Sequence, residues 1–143
     1  MKEKTEKKDR LEVLYVRPNK TAEFVEIDND LASMQNLVDG YIEEYMPFDD
    51  EVAVICNEEG KMKNLDLNRG IYDKNGKLLD IICGSFFLCY APIESEKFLP
   101  LPANLRAKYE KMFKEPERFF LSEKGTIAEK ILEKKAKLVR EER

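Results

Sequence analysis

A chain of 143 residues is the size of one domain, and its 43% apolar share is enough to bury one core of moderate size. Its 25 basic and 29 acidic residues leave a net charge of −4, which excludes the strongly basic face of a general nucleic-acid binder and the dense negative charge of a whole-protein DNA mimic. Histidine is absent, so the commonest general base and metal ligand is missing.

Residues 1–10 mix Lys, Glu, Asp and Thr without an apolar period and read as a mobile tail. Leu11 to Val16 and Thr21 to Ile27 read as two strands joined by the turn chemistry of Pro18-Asn19-Lys20, an opening hairpin. Asn29 is placed to cap a short helix with Leu31, Met34, Leu37 and Val38 on one face, and Gly40 stands where a left-handed terminus would be wanted. Tyr41 to Tyr45 alternates, Met46-Pro47-Phe48 breaks the chain, and Glu51 to Cys56 is a Val/Ile-rich strand.

Between Gly40 and Gly60 stand Glu43, Glu44, Asp49, Asp50, Glu51, Glu58 and Glu59, with no basic residue among them. Carboxylates can hold a hard cation, but this spacing fits neither a calcium loop nor a compact triad, so no metal site is assigned. The block also suits a basic protein partner. A polar passage from Asn57 to Gly70 follows, with Glu58-Glu59-Gly60-Lys61 in the form of a tight turn that would give Gly60 a positive φ. Asp73-Lys74-Asn75-Gly76 is a clearer hairpin turn. Leu78 to Ile82 and Ser85 to Tyr90 read as central strands on either side of Cys83-Gly84.

Pro102 opens a helix whose apolar face is Leu105, Tyr109, Met112 and Phe113, ending before Pro116. Thr126-Ile127-Ala128-Glu129 has capping-box form and predicts a charged helix within residues 121–143, with Ile131, Leu132, Ala136, Leu138 and Val139 as its thin stripe. Cys56, Cys83 and Cys89 are odd in number and form no Cys-x-x-Cys pair, so they read as reduced thiols buried in a cytosolic protein. The start is charged and no run approaches the roughly 18 apolar residues of a membrane span, so neither export nor insertion is expected.

The residues Leu37-Val38-Asp39-Gly40-Tyr41-Ile42-Glu43, Asn57-Glu58-Glu59-Gly60-Lys61, Leu65, Asn68-Arg69 and Gly84 with its aromatic strand resemble the domain of unknown function 3846 family. The resemblance runs from about Leu11 to Phe120, where Lys108-Tyr109, Phe113, Pro116-Glu117 and Phe119 fit its last part. It implies a small accessory domain in a phage or mobile-element setting and supplies no catalytic set.

These observations predict an α+β fold: a mostly antiparallel sheet of five or six strands, two or three packed helices and a charged C-terminal helix, with residues 11–120 as one domain. Three functional classes are open. The first is a non-enzymatic anti-defence factor that sequesters a small nucleotide-like ligand through Asn57, Glu58, Lys61, Asn64, Asn68, Arg69 and Tyr72. Side-chain amides read base edges, an Arg fork takes a phosphate, and aromatic rings stack; Tyr41 and Phe48 would add rings, and Lys63, Lys74 and Asn75 polar groups. The bland reading of the same residues is turn chemistry. The second is an inhibitor that meets a host protein through the acidic passage or the C-terminal helix. The third is a carboxylate-based hydrolase using Glu43, Asp49, Glu58 or Glu59. No catalytic residues are assigned, no cofactor motif is found, direct nucleic-acid and membrane binding are not expected, and homo-oligomerisation is, because a small open sheet leaves free edges.

Overall fold

The computed structural model describes residues 9–122 and 125–130. Its centre is a five-stranded antiparallel sheet in the order β2-β1-β7-β4-β3, built from β1 (Arg10–Val16), β2 (Glu23–Asp28), β3 (Ile42–Tyr45), β4 (Val52–Asn57) and β7 (Phe86–Tyr90). A second antiparallel pair, β5 (Leu67–Tyr72) and β6 (Leu78–Cys83), and a third, β8 (Glu117–Ser122) and β9 (Gly125–Lys130), stand apart from it. Among the described residues the two helices are α1 (Leu31–Val38) and α2 (Ala103–Phe113).

Successive side chains of a strand point to opposite faces, and here both faces are buried. Leu11 and Val13 of β1, Ala53 and Ile55 of β4, and Phe87 and Cys89 of β7 pack with Met34 and Val38 of α1. Leu14 and Val16, Val52 and Val54, and Phe86 and Leu88 pack on the other face with Ile71, Ile82, Tyr109 and Phe113. That double burial is why β4 and β7 read as continuous apolar runs rather than as alternating ones. The rim strands β2 and β3 contain no buried residue. The three thiols are free and buried, and burial pushes Cys56 up to about 12, leaving it protonated at neutral pH.

Several expectations need correction. Residues 121–143 were expected to form a charged helix, but Thr126 to Glu129 lie in β9, paired with β8 from Glu117↔Lys130 to Ser122↔Gly125; the stripe from Ile131 onward lies outside the described residues. The expected tail 1–10 gives up its last two residues, since β1 begins at Arg10 and the Asp9 carbonyl accepts from the Asn29 N–H at 2.8 Å. Asp30, not Asn29, caps α1, its carboxylate accepting from Ser33 N–H, and Asp39 with φ 60° takes the left-handed terminus expected of Gly40. Gly40 is needed for another reason: a Cβ there would come within 2.6 Å of Asn57 Nδ2. Gly60 likewise has no positive φ; a Cβ would meet the Cys83 carbonyl oxygen at 2.6 Å. Of the two strands expected to be central, β7 is, while β6 belongs to the separate hairpin.

Candidate functional site

Asn57 ends β4, and its amide is spent on joining neighbours. Nδ2 donates to the Val38 and Asp39 carbonyls at 3.0 and 3.1 Å, and Oδ1 accepts from Glu59 N–H at 2.8 Å. From there the chain folds into a compact run of turns, with Lys63 N–H on the Glu59 carbonyl, Leu65 N–H on the Gly60 carbonyl, and Asn64 at φ 55°. Asn and Gly act here largely as turn and packing residues.

Asn68 and Arg69 are fully buried, and every polar group they carry faces the protein. A bulge between Leu67 and Arg69 turns both side chains inward. Asn68 Nδ2 donates to the Val16 and Gly84 carbonyls at 2.9 and 2.8 Å, while its Oδ1 accepts from Arg69. The guanidinium of Arg69 donates to the Phe113 carbonyl at 3.0 Å and the Lys20 carbonyl at 2.6 Å, with longer bonds to those of Arg17 and Lys114. Burial lowers it to about 10, with the nearby charges of Glu117 and Glu115 opposing that shift, so it stays a cation at neutral pH. Glu117, also buried, accepts from Gly70 N–H at 2.8 Å and Tyr72 O–H at 3.0 Å. The pair that sequence chemistry puts forward for a phosphate thus fastens β5 to the β1–β2 turn and to the end of α2.

The other expected residues fall around three recesses. Asn57, Glu58 and Lys61 line one of about 180 Å³ between β3, β4 and β6, with Glu43, Tyr45, Asp80 and the thiols of Cys56 and Cys83. Lys61 is bound to Asp80 at 2.5 Å, which raises its pKa. Lys61 and Asn64 also border a shallow trough of about 460 Å³ on the β5–β6 hairpin, floored by Leu67, Leu78, Leu79 and Ile81. Tyr72 belongs to a third recess of about 380 Å³, where Pro47, Phe48 and Asp49 face Lys74 of the hairpin turn and Lys108, Tyr109 and Met112 of α2. Phe48 packs against Tyr109 with ring centroids 5.0 Å apart.

Of the hydrolase candidates, Glu43 and Glu58 share the first recess, Asp49 borders the third, and Glu59 pairs with Lys63 at 3.2 Å. Among the described residues no group of three or more Cys, Asp or Glu side chains is arranged to hold a metal ion. No helix among the described residues is long and apolar enough to cross a membrane, which says nothing of a β-barrel.

Sequence reasoning missed Asp80 and Glu117 as polar partners and Tyr109 and Lys108 as lining groups. Tyr109 was legible only as core, and no pattern marks Asp80. The Tyr109 hydroxyl donates to Asp50 at 2.8 Å, and Lys108 pairs with the same carboxylate at 2.6 Å. Those two partners, Lys108 first, lower Asp50, while burial and then Asp50 raise Tyr109; burial and then Glu117 raise Tyr72. Above the unfolded phenol value of about 10 the unfolded chain releases protons that the folded tyrosines keep, so their contribution is complete below that pH and is lost as pH rises through their higher folded values. Arg69, with its folded value below its unfolded one, works in the opposite sense over part of that range. The urea midpoint of Tyr109→Phe should therefore fall less between about pH 9 and 11 than that of the parent chain; equal slopes would remove the assignment.

Fold and recesses define a small α+β domain whose most buried polar side chains join its own elements. The chain belongs to the domain of unknown function 3846 family (DUF3846), whose profile matches residues 10–114. No curated protein and no solved structure matches it. The match ends at Lys114, so it contains every acceptor of Arg69 but not Glu117 or the β8–β9 hairpin.

Proposed function

We propose that this domain is a non-enzymatic binding protein from a phage or mobile element that sequesters a small nucleotide-like ligand as an anti-defence factor. The observation that carries the reading is the third recess, where half-buried Phe48 and Tyr72 offer ring surface beside two lysines. Stacking on an aromatic ring contributes about 1–3 kcal/mol per base and needs no sequence code. Lys74 pairs with Asp49 at 3.0 Å, but the two side chains are 85% and 84% exposed, so solvent screens the pair and a ligand phosphate can take the place of Asp49 at little cost. Lys108 is matched by Asp50, so the recess is close to neutral and favours a singly or doubly charged ligand over a triphosphate. The family resemblance sets the context, since removing a signal from the cytoplasm would blunt a host response.

The test is calorimetric titration with nucleoside monophosphates and a cyclic dinucleotide, beside a native mass spectrum of protein purified from host cells. Lys74→Glu reverses, at an exposed turn position, one of the two cations offered to the phosphate and should weaken binding at least about tenfold with the unfolding midpoint unchanged. If titrations show no heat and heat-released extract contains no nucleotide, the proposal fails.

A second reading is a protein-interaction inhibitor. It is favoured by Glu43, Glu44 and Glu58, which form no ion pair among the described residues. Co-purification of one host protein, lost in Glu43→Lys/Glu44→Lys, supports it.

A further inference from the structure

We infer that β3 is a docking edge that accepts an extended, basic segment of a partner protein as a sixth strand of the central sheet. This rests on the protein-interaction reading and gives it a geometry.

Among the described residues β3 is the outermost strand on its side and pairs only with β4. Along its other side, the main chain of residues 42–45 makes no hydrogen bond to another segment among the described residues. An open row of N–H and C=O groups is a template for another strand, and proteins normally blunt such rows. The edges of β5, β6 and β2 are interrupted here. On β5, Gly70 N–H is taken by the Glu117 carboxylate, and on β6, Ile81 N–H is taken by Asp80 at 2.8 Å. On β2, the Glu26 carbonyl accepts from the Arg10 guanidinium at 3.3 Å and the Asp28 carbonyl from Asp30 N–H at 2.9 Å. The residue before β2 is closed as well, Ala22 N–H donating to the Lys114 carbonyl at 2.9 Å. Among the described residues β3 has no comparable main-chain contact, and what guards it is the charge of Glu43 and Glu44.

Its charge then selects the occupant. Glu43 lies opposite Cys56 and Glu44 opposite Ile55, and these two residues of β4 belong to the two different faces of the sheet. Bare carboxylates therefore stand above and below the edge. On the upper side Glu43 shares its recess with Glu58 and Asp80, against Lys61 alone. A second copy of this chain adding through β3 would set Glu43 and Glu44 against the same two carboxylates, and like charges directly opposite are destabilising. A strand with Lys or Arg at two consecutive positions meets a carboxylate on each face, while Ile42 and Tyr45, both half-buried, receive its aliphatic stems.

The experiment is an NMR titration of the labelled full chain at low salt with an acetylated Lys/Val peptide of about eight residues repeating Val-Lys-Lys-Val, which puts Lys on both faces and covers the strand with margin. Three further arms use the Glu/Val counterpart, the Lys/Val peptide N-methylated on every second amide, and the Glu43→Lys/Glu44→Lys chain. The expected result is amide shifts centred on residues 42–45, affinity falling with salt, a loss of about tenfold or more in the charge-reversed chain, and no binding of the other two peptides. N-methylation keeps the charge and removes the ladder donors. Equal binding of that peptide would overturn strand addition in favour of plain surface attraction, and shifts elsewhere or none with the Lys/Val peptide would overturn the site. Neither result bears on nucleotide titration, so this inference and the small-ligand reading fail separately.

Discussion

Replacing Arg69 with Met should cost about 3–5 kcal/mol of stability, the range found when one partner of a buried, hydrogen-bonded charge is removed. The substitution keeps much of the volume and takes away donors to the Phe113, Lys20, Arg17 and Lys114 carbonyls and to Asn68 Oδ1. Buried acceptors left without donors lose both the bond and the water they gave up to make it. It also leaves Glu117 without the cation that it faces. Arg69→Lys should recover only part of the loss, because an ammonium cannot reproduce the planar fork that reaches several acceptors at once. Urea unfolding followed by tyrosine fluorescence gives the answer as a lowered midpoint. A variant with the parent's midpoint and no ligand binding would show instead that Arg69 serves a ligand.

Glu117→Ala is expected to cost about 3 kcal/mol, since it strands Gly70 N–H and Tyr72 O–H and removes a negative charge beside Arg69. Glu117→Gln keeps an acceptor oxygen for Gly70 and should cost less. Combined with Arg69→Met it should show a coupling of about 1–3 kcal/mol, because the two groups share one network. Hydrogen exchange adds a local readout: in Glu117→Ala the Gly70 amide should lose protection beyond what global destabilisation explains. Strict additivity, with Gly70 protection unchanged relative to its neighbours, would mean that β8 is held to β5 by other contacts.

The contrast between β4 and β5 shows what could be seen in the residues. Val52 to Cys56 is apolar on both faces because both faces are covered, and such a run names itself as a strand. Leu67-Asn68-Arg69-Gly70 lies in a strand of the same length, yet its inward residues are an amide and a guanidinium, and the bulge destroys the alternation that would reveal it. The same property misdirected the site. An Asn-Arg pair is a set of donors, and nothing local tells whether their acceptors are a ligand's oxygens or carbonyls 16 to 52 residues away. Thr126 to Glu129 failed differently: capping-box spacing fits a helix start, but pairing with β8 decided the outcome, a case of tertiary context overriding a local signal. The opening hairpin, α1, α2 and the Asp73–Gly76 turn were legible because each is set by short-range pattern, whereas the caps were not: Asp30 and Asp39 close α1, and Pro102 makes no side-chain cap bond to α2.

The reach of Arg69 also sets an order of events. Its acceptors stand before it at residues 17 and 20 and after it at residues 113 and 114, so the network cannot close until both stretches have been brought to β5. A chain made from its N-terminus has β1 to β7 in hand well before residue 114 has left the ribosome, and throughout that interval the guanidinium has only part of its acceptor set. The central sheet can form around apolar contacts during that time, while the hairpin that carries Arg69 waits. Completion of the polar side of this fold is therefore timed by the arrival of α2, and a nascent chain stopped short of it would keep the Arg69 guanidinium in water and the β5–β6 hairpin undocked.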